Sequence, residues 1–301
     1  MKLLLILTLL INYLTAFDYE LEPKKISATT HCFFGYSEVM DEHNNGNMSN
    51  SCFVNMGTNY IVIDSGPTYS YAFQAYEKMK MIKNLPISYV INTHVHDDHW
   101  LGNSYYSELG VQIVGSNGFS SETRVAITRM QQRISPEAFL KTTQVIPLIL
   151  VENEKLLDVN GTTIHLINVN KKAHTSADLL VYIPKDKTIF VGDLVFNDRL
   201  PSIRDGDLKG WTDTLEVIKS MDVTFIIGGH GKIVDRTSVD MTYNYIKTLQ
   251  EEVSTLLEDG EDISDVVNTV VMEKYKDTNF YDSMHRQNVE IAYRMLEWGN
   301  E

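Results

Sequence analysis

The sequence predicts an α/β protein built as a four-layer αββα sandwich, two sheets face to face with helices outside, carrying a helical C-terminal extension. Three observations predict it. Short apolar runs rich in β-branched and aromatic residues recur at close spacing from Cys32 to His230. A segment of helical periodicity interrupts those runs in each half, so the second half repeats the mix of the first. After Val239 the strand pattern stops and helical patterns take over.

In chain order, residues 1–16 (MKLLLILTLLINYLTA) place one Lys before an apolar stretch from Leu3 to Ile11 and end on the small residue Ala16. This is the pattern of a signal peptide, and the run falls short of the roughly 20 apolar residues that span a bilayer. We therefore expect cleavage near Ala16 and a mature protein that is periplasmic or secreted, with no stable membrane insertion after the leader is removed. The runs CFFGYSEV, CFVNM, YIVID and ISYVINT read as strands, and Tyr71 to Lys83 as a helix between the last two. The polar stretch DEHNNGNMSNS, Asp41 to Ser51, reads as a flexible hairpin tip, with a mobile flap over a site as the functional alternative. Cys32 and Cys52, the only cysteines, flank it. An oxidising compartment permits a disulfide between them, two buried thiols are the alternative, and the sequence leaves both open.

Ser121 to Leu140 reads as helical, with a stop and restart at Ser135 and Pro136. Strands then follow at Leu148 to Leu150, Thr163 to Val169, Leu179 to Ile183, Thr188 to Asp193 and Thr224 to His230, with a helix over Trp211 to Met221 before the last. Gly260 and Gly299 sit where C-terminal helices should stop. The expected division is a leader over 1–16, a sandwich over 17–235 and a helical extension over 236–301.

A formal net charge of -14, without a run of Lys and Arg, argues against nucleic acid as a partner. A small-molecule substrate is expected instead, and nothing in the sequence fixes an oligomeric state.

The chemistry concentrates in INTHVHDDHWLGN, Ile91 to Asn103, where His94, His96, Asp98 and His99 crowd one turn after a strand. Imidazole nitrogens and carboxylate oxygens are the ligands zinc takes, and alternate residues at a strand end can serve one metal while the next pair serves another. His174 in KKAHTSAD, Asp193 in VGDLVF and His230 in IIGGHG follow, each at or near the end of an apolar run. Together these seven residues resemble the signature of the metallo-β-lactamase-fold superfamily, over about Asp64 to Gly231.

That resemblance implies two divalent metal ions, zinc foremost and iron as the alternative. It assigns His94, His96 and His174 to the first, Asp98, His99 and His230 to the second, and Asp193 to a bridge between them. It implies a dinuclear hydrolase in which a metal-bridging hydroxide attacks a lactam, lactone or thioester carbonyl, with Asp98 also orienting that nucleophile. An iron-dependent redox enzyme of the persulfide dioxygenase kind and a non-catalytic metal-binding accessory protein of a periplasmic redox system are the rivals. One group of zinc β-lactamases has Cys where this chain has Asp193, so the pattern is closer to glyoxalase II and lactonases. The leader and the ending HRQNVEIAYRMLE resemble periplasmic metallohydrolases associated with quinoprotein relay and sulfur-oxidation systems.

Of the remaining residues, Asp64 is expected either to brace the ligand loop or simply to form a turn. Arg199 is read as a structural salt-bridge partner, with a substrate carboxylate as the functional alternative. Asp97 is assigned no metal, Trp100 is expected under the motif, and His31, His43, His165 and His285 are read as ordinary surface or core histidines.

Overall fold

The computed structural model describes residues 17–119 and 126–299. The expected leader and the start of the expected helix at Ser121 lie outside them. The first sheet has seven strands in sequence order: β1 (Lys24–Lys25), β2 (Thr30–Phe33), β3 (Ser51–Asn55), β4 (Tyr60–Ile63), β5 (Ile87–Ile91), β6 (Gln112–Ser116) and β7 (Ile149–Val151). Its strands run antiparallel as far as β4 and parallel from β4 to β7. The second sheet is ordered β12 (Phe225–His230), β11 (Thr188–Phe196), β10 (Leu179–Ile183), β9 (Thr162–Asn168) and β8 (Glu154–Val159).

Three apolar clusters occupy the three interfaces of four layers. Between the sheets, Val54, Ile61 and Ile91 meet Ile164, Leu179 and Phe190. Beneath the first sheet, Phe53, Tyr60 and Val62 pack on Tyr71, Ala75 and Met79 of α1 (Tyr69–Ile82). The same cluster takes Trp100 from α2 (Asp97–Trp100), Tyr106 from α3 (Asn103–Glu108), Met130 from α4 (Ala126–Arg133) and Ala138 from α5 (Pro136–Phe139). Beyond the second sheet, Ile189 and Val191 pack on Trp211 and Leu215 of α6 (Leu208–Ser220), on Tyr245 and Leu249 of α7 (Ser238–Glu258) and on Val289 of α9 (Tyr281–Gly299). Alternation along β4 shows the cause: Tyr60 and Val62 face the helix, Ile61 and Ile63 the other sheet, and all four are buried. Each such side chain contributes about 1.5–3 kcal/mol by leaving water. The C-terminal helices, α8 (Ile263–Thr269) included, thus form part of the outer layer.

Helix starts follow side-chain caps. Thr68 accepts from the Tyr71 amide at α1, and Asp207 from the Gly210 amide at α6, which puts both starts a few residues earlier than periodicity indicates. The restart at Ser135 has the same basis, since its hydroxyl accepts from the Ala138 amide and Pro136 opens α5. Gly260, at φ +80°, follows α7 where a stop is expected.

Some expectations do not hold. The strand read through CFFGYSEV ends at Phe33, because Gly35 leaves the sheet to meet the Asp41 to Ser51 stretch. A Cβ on Gly35 would come within 2.1 Å of the Met48 carbonyl carbon, and the Gly35 amide donates to Asn50 Oδ1 at 3.3 Å. That stretch is not an open tip along its length: residues 41–43 are exposed, but residues 44–51 are buried. Strands β6 and β8 escape sequence reading, since Gln, Gly and Ser dilute the first and Glu154, Lys155 and Asp158 leave no continuous apolar run in the second. Cys32 and Cys52 stand opposite each other on β2 and β3 and form a disulfide, which settles the open alternative.

Candidate metal centre

Strand ends and one bulge build the site. The chain leaves β5 through Asn92 and Thr93, presents His94 and His96, and enters α2, whose single turn carries Asp98 and His99. Trp100 is fully buried beneath, its indole donating to the Val95 carbonyl at 2.8 Å. His174 lies in the loop before β10 and His230 ends β12. Asp193 lies on β11 where the pairing with β12 shifts register.

Two glycines permit the convergence. Gly192 has φ +51°, and a Cβ there would lie 2.4 Å from Thr93 Oγ1. A Cβ on Gly229 would lie 1.9 Å from Asp193 Oδ1.

The donors fall into two groups, His94, His96, His174 and Asp193 in one and Asp98, His99 and His230 in the other, with the atoms of each within 4.8 Å of one another. Asp193 reaches both. Its Oδ2 stands 3.6 Å from His94 Nε2, 3.5 Å from His174 Nε2 and 3.2 Å from His230 Nε2, and its Oδ1 stands 3.1 Å from His99 Nε2. Asp98 Oδ2 lies 3.7 Å from His99 Nε2 and 3.6 Å from His230 Nε2. His174 Nε2 and His96 Nδ1 are 3.0 Å apart. Ligand atoms about 2.05 Å from a tetrahedral zinc sit about 3.3 Å from one another, so these spacings suit a shared cation better than direct hydrogen bonds.

Whether the residues fit a metal is decided by what they leave unpaired. His94 Nε2, His99 Nε2 and Asp193 Oδ1 are buried without a hydrogen-bond partner, a costly arrangement unless a cation completes it. The set is imidazole and carboxylate, the chemistry of a divalent site. Burial first, then neighbouring imidazoles, push His94 well below its ordinary range and His174 down to about 3, leaving neutral rings with lone pairs to donate. Burial alone would raise Asp193, but the surrounding imidazoles, His230 foremost, hold it well below the usual carboxylate range.

A second ring of contacts orients the donors, and most of it was invisible in the sequence. Asp64, at φ +55°, accepts from the Thr93 amide (2.8 Å) and hydroxyl (2.7 Å) and lies 2.8 Å from His99 Nδ1. It therefore braces the ligand loop, the first of its two expected roles. His230 Nδ1 is 2.8 Å from the Met48 carbonyl, the Ser49 hydroxyl donates to the Asp98 carbonyl at 2.6 Å, and Asn50 Nδ2 donates to the carbonyls of Gly228 (2.9 Å) and Gly231 (2.8 Å). The buried polar stretch is thus a brace for the centre. Asp205 Oδ2 sits 3.2 Å from His96 Nε2, and this contact, with Arg204 next, holds its carboxyl below the usual range. Asp178 receives the Thr175 amide and hydroxyl at 2.8 Å each and so fixes the loop carrying His174; burial pushes its carboxyl up to about 7. Asp97 binds no ligand group, pairing instead with Arg129, whose Nε donates to Asp97 Oδ2 at 2.8 Å. His165 meets Glu154, and His285 lies between Tyr245 and the Val270 carbonyl.

A family model described as the metallo-beta-lactamase superfamily matches residues 44–230. The chain belongs to that superfamily. Among superfamily relatives, a beta-lactamase-like protein 2 homolog from Caenorhabditis elegans is 24% identical over 227 residues, 74% of this chain and 70% of the relative. A metallo-beta-lactamase type 2 from Elizabethkingia meningoseptica is 23% identical over 263 residues, 84% of this chain and 96% of the relative. Solved superfamily structures share the fold: a metallo-beta-lactamase from Pontibacter korlensis superposes with a TM-score of 0.60 at 19% identity, covering 76% of this chain and 99% of that one. The DIM-1 metallo-beta-lactamase gives 0.59 at 18% identity, covering 76% and 98%.

All seven residues singled out from the sequence for metal binding converge in the centre. Among the described residues Arg199 does not take the salt bridge expected of it. Its guanidinium instead stacks on Phe280, 4.2 Å from the ring centroid.

Proposed function

We propose that this superfamily member is an exported dinuclear zinc hydrolase of small carbonyl-type substrates. The observation that carries the reading is Asp193, whose two oxygens approach imidazoles of both donor groups. When bound, a pair of divalent cations supplies Lewis acidity and acidifies a shared water toward neutral pH. The residues do the rest: Asp193 and Asp98 offset cationic charge, Asp98 stands beside His99 and His230 to orient a nucleophile, and Trp211 and Phe196 pack against the His174 and His230 rings and exclude water behind them. Beside His96 opens a cavity of about 660 Å³, large enough for a small molecule. The name of the Elizabethkingia relative points to lactams, while an aspartate at position 193 favours lactones and thioesters, so all three belong in the substrate panel.

Export is supported by the leader-like residues 1–16, by the Cys32–Cys52 disulfide and by the docking of Phe17 and Tyr19 on α1. The mature chain is expected to begin near Phe17. The deciding assay is zinc-loaded protein against lactam, lactone and thioester panels, with and without oxygen. Oxygen-independent turnover of one class is expected, and strict oxygen dependence would replace the hydrolase reading with an iron redox enzyme.

A further inference from the structure

Arg129 reaches two neighbouring carboxylates at once. Its Nε donates to Asp97 Oδ2 at 2.8 Å, its Nη2 donates to Asp97 Oδ1, and the same Nη2 stands 3.7 Å from Asp98 Oδ1. The Asp98 carboxylate is thereby divided: Oδ2 faces His99 and His230 in the centre, and Oδ1 faces the guanidinium. Among the described residues Arg129 is the one arginine or lysine within ion-pair reach of Asp98. Its backbone is anchored on both sides. Met130, the next residue of α4, is fully buried in the cluster beneath the first sheet with Trp100 and Phe119, and past the helix the Ser135 amide donates to Asn45 Oδ1 at 2.8 Å.

Asp97 and Asp98 are adjacent in the chain, and the Asp97 side chain is sealed at 1% exposure. Two carboxylates so placed repel, and the repulsion grows where water is scarce. A guanidinium carries five N–H donors in a planar fork, so one arginine can grip Asp97 with two nitrogens and still turn a hydrogen toward Asp98. The two bonds to Asp97 suffice to neutralise it. The place of Nη2 between the carboxylates adds a second effect, an attraction on Asp98 Oδ1 that leaves Oδ2 as the atom offered to a metal. We propose that Arg129 is a positioning residue of the second donor group, acting on a bound metal through Asp98. The inference deepens the proposed function and rests on it, taking Asp98, His99 and His230 as the second metal subsite. Arg129 and Asp97 also line the cavity beside His96, so one side chain forms part of the cavity wall and aims a ligand behind it.

The test takes Asp97→Asn as its reference, because loss of Arg129 in the parent would leave a buried carboxylate without its partner. In that background Arg129→Met withdraws the cation from Asp98 alone. Stepwise zinc affinities are read by chelator competition, and the second equivalent of cobalt is followed by its visible spectrum. Asp97→Asn should hold the second ion as the parent does, whereas Asp97→Asn with Arg129→Met should hold it about 10–100-fold more weakly, with the first ion unaffected and the second cobalt band shifted or diminished. Asp97→Asn with Arg129→Lys, which keeps charge without the planar fork, should fall between the two. Melting temperatures of the metal-free proteins check folding, and the lysine variant keeps the comparison available if the methionine variant does not fold. Equal second-ion affinity in Asp97→Asn and both double variants would make Arg129 a counter-ion for Asp97 alone and overturn the proposal. So would equal weakening of both ions, the mark of a general loosening of the fold. A parent that holds one ion under excess zinc would remove the dinuclear reading and the proposal with it. Arg129-dependent binding of the second ion without turnover of any panel member would remove the hydrolase reading alone.

Discussion

At the scale of single residues, Asp193 is the pivot, since its two carboxylate oxygens approach imidazoles of both donor groups. Asp193→Ala removes one of the two carboxylates that offset the cations and should abolish activity. Asp193→Cys still offers a thiolate to zinc and should keep partial occupancy and a measurable rate. Equal rates for Asp193→Ala and the parent would exclude a bridging role. Asp64 acts one step out, through His99 Nδ1 and the Thr93 amide. Asp64→Asn should weaken metal affinity about 10–100-fold in a chelator competition while leaving the fold intact. The donors were legible in the sequence because His94, His96, Asp98 and His99 crowd a single turn, where packing alone would place apolar side chains. Asp205, Asp178 and the Met48 carbonyl were not, because each reaches its partner through the fold and carries no local signal. The fate of Arg199 was equally hidden, since Phe280, which stacks on it, lies far along the chain.

At the scale of elements, the buried stretch from Asn44 to Ser51 ties the first sheet to the second at the centre. Polarity misled the sequence reading: Asn and Ser look like an exposed tip, but here they satisfy strand-end carbonyls. Asn50→Ala leaves the Gly228 and Gly231 carbonyls without that donor and should cost about 2 kcal/mol in chemical denaturation, with the metal near His230 lost first. The disulfide closes the same segment over a separation of 20 residues. Cys52→Ser should lower stability by about 3 kcal/mol, and reductant should have no further effect on that variant. Uninterrupted apolar strands such as β4 and β11 were readable, whereas β6, diluted by Gln112, Gly115 and Ser116, depends on its neighbours for its burial.

At the scale of the whole molecule, strand ends and loops of both sheets converge on one edge, where His94 Nε2, His99 Nε2 and Asp193 Oδ1 are buried without a hydrogen-bond partner. A ligand that binds only the folded state stabilises it, so chelation should lower the melting temperature and added zinc should restore it. Elemental analysis of the purified protein tests the central claim most directly. Two metal ions per chain are predicted, with His99→Ala and His230→Ala each reduced toward one. A single tightly held ion in the parent under excess zinc would contradict the dinuclear centre.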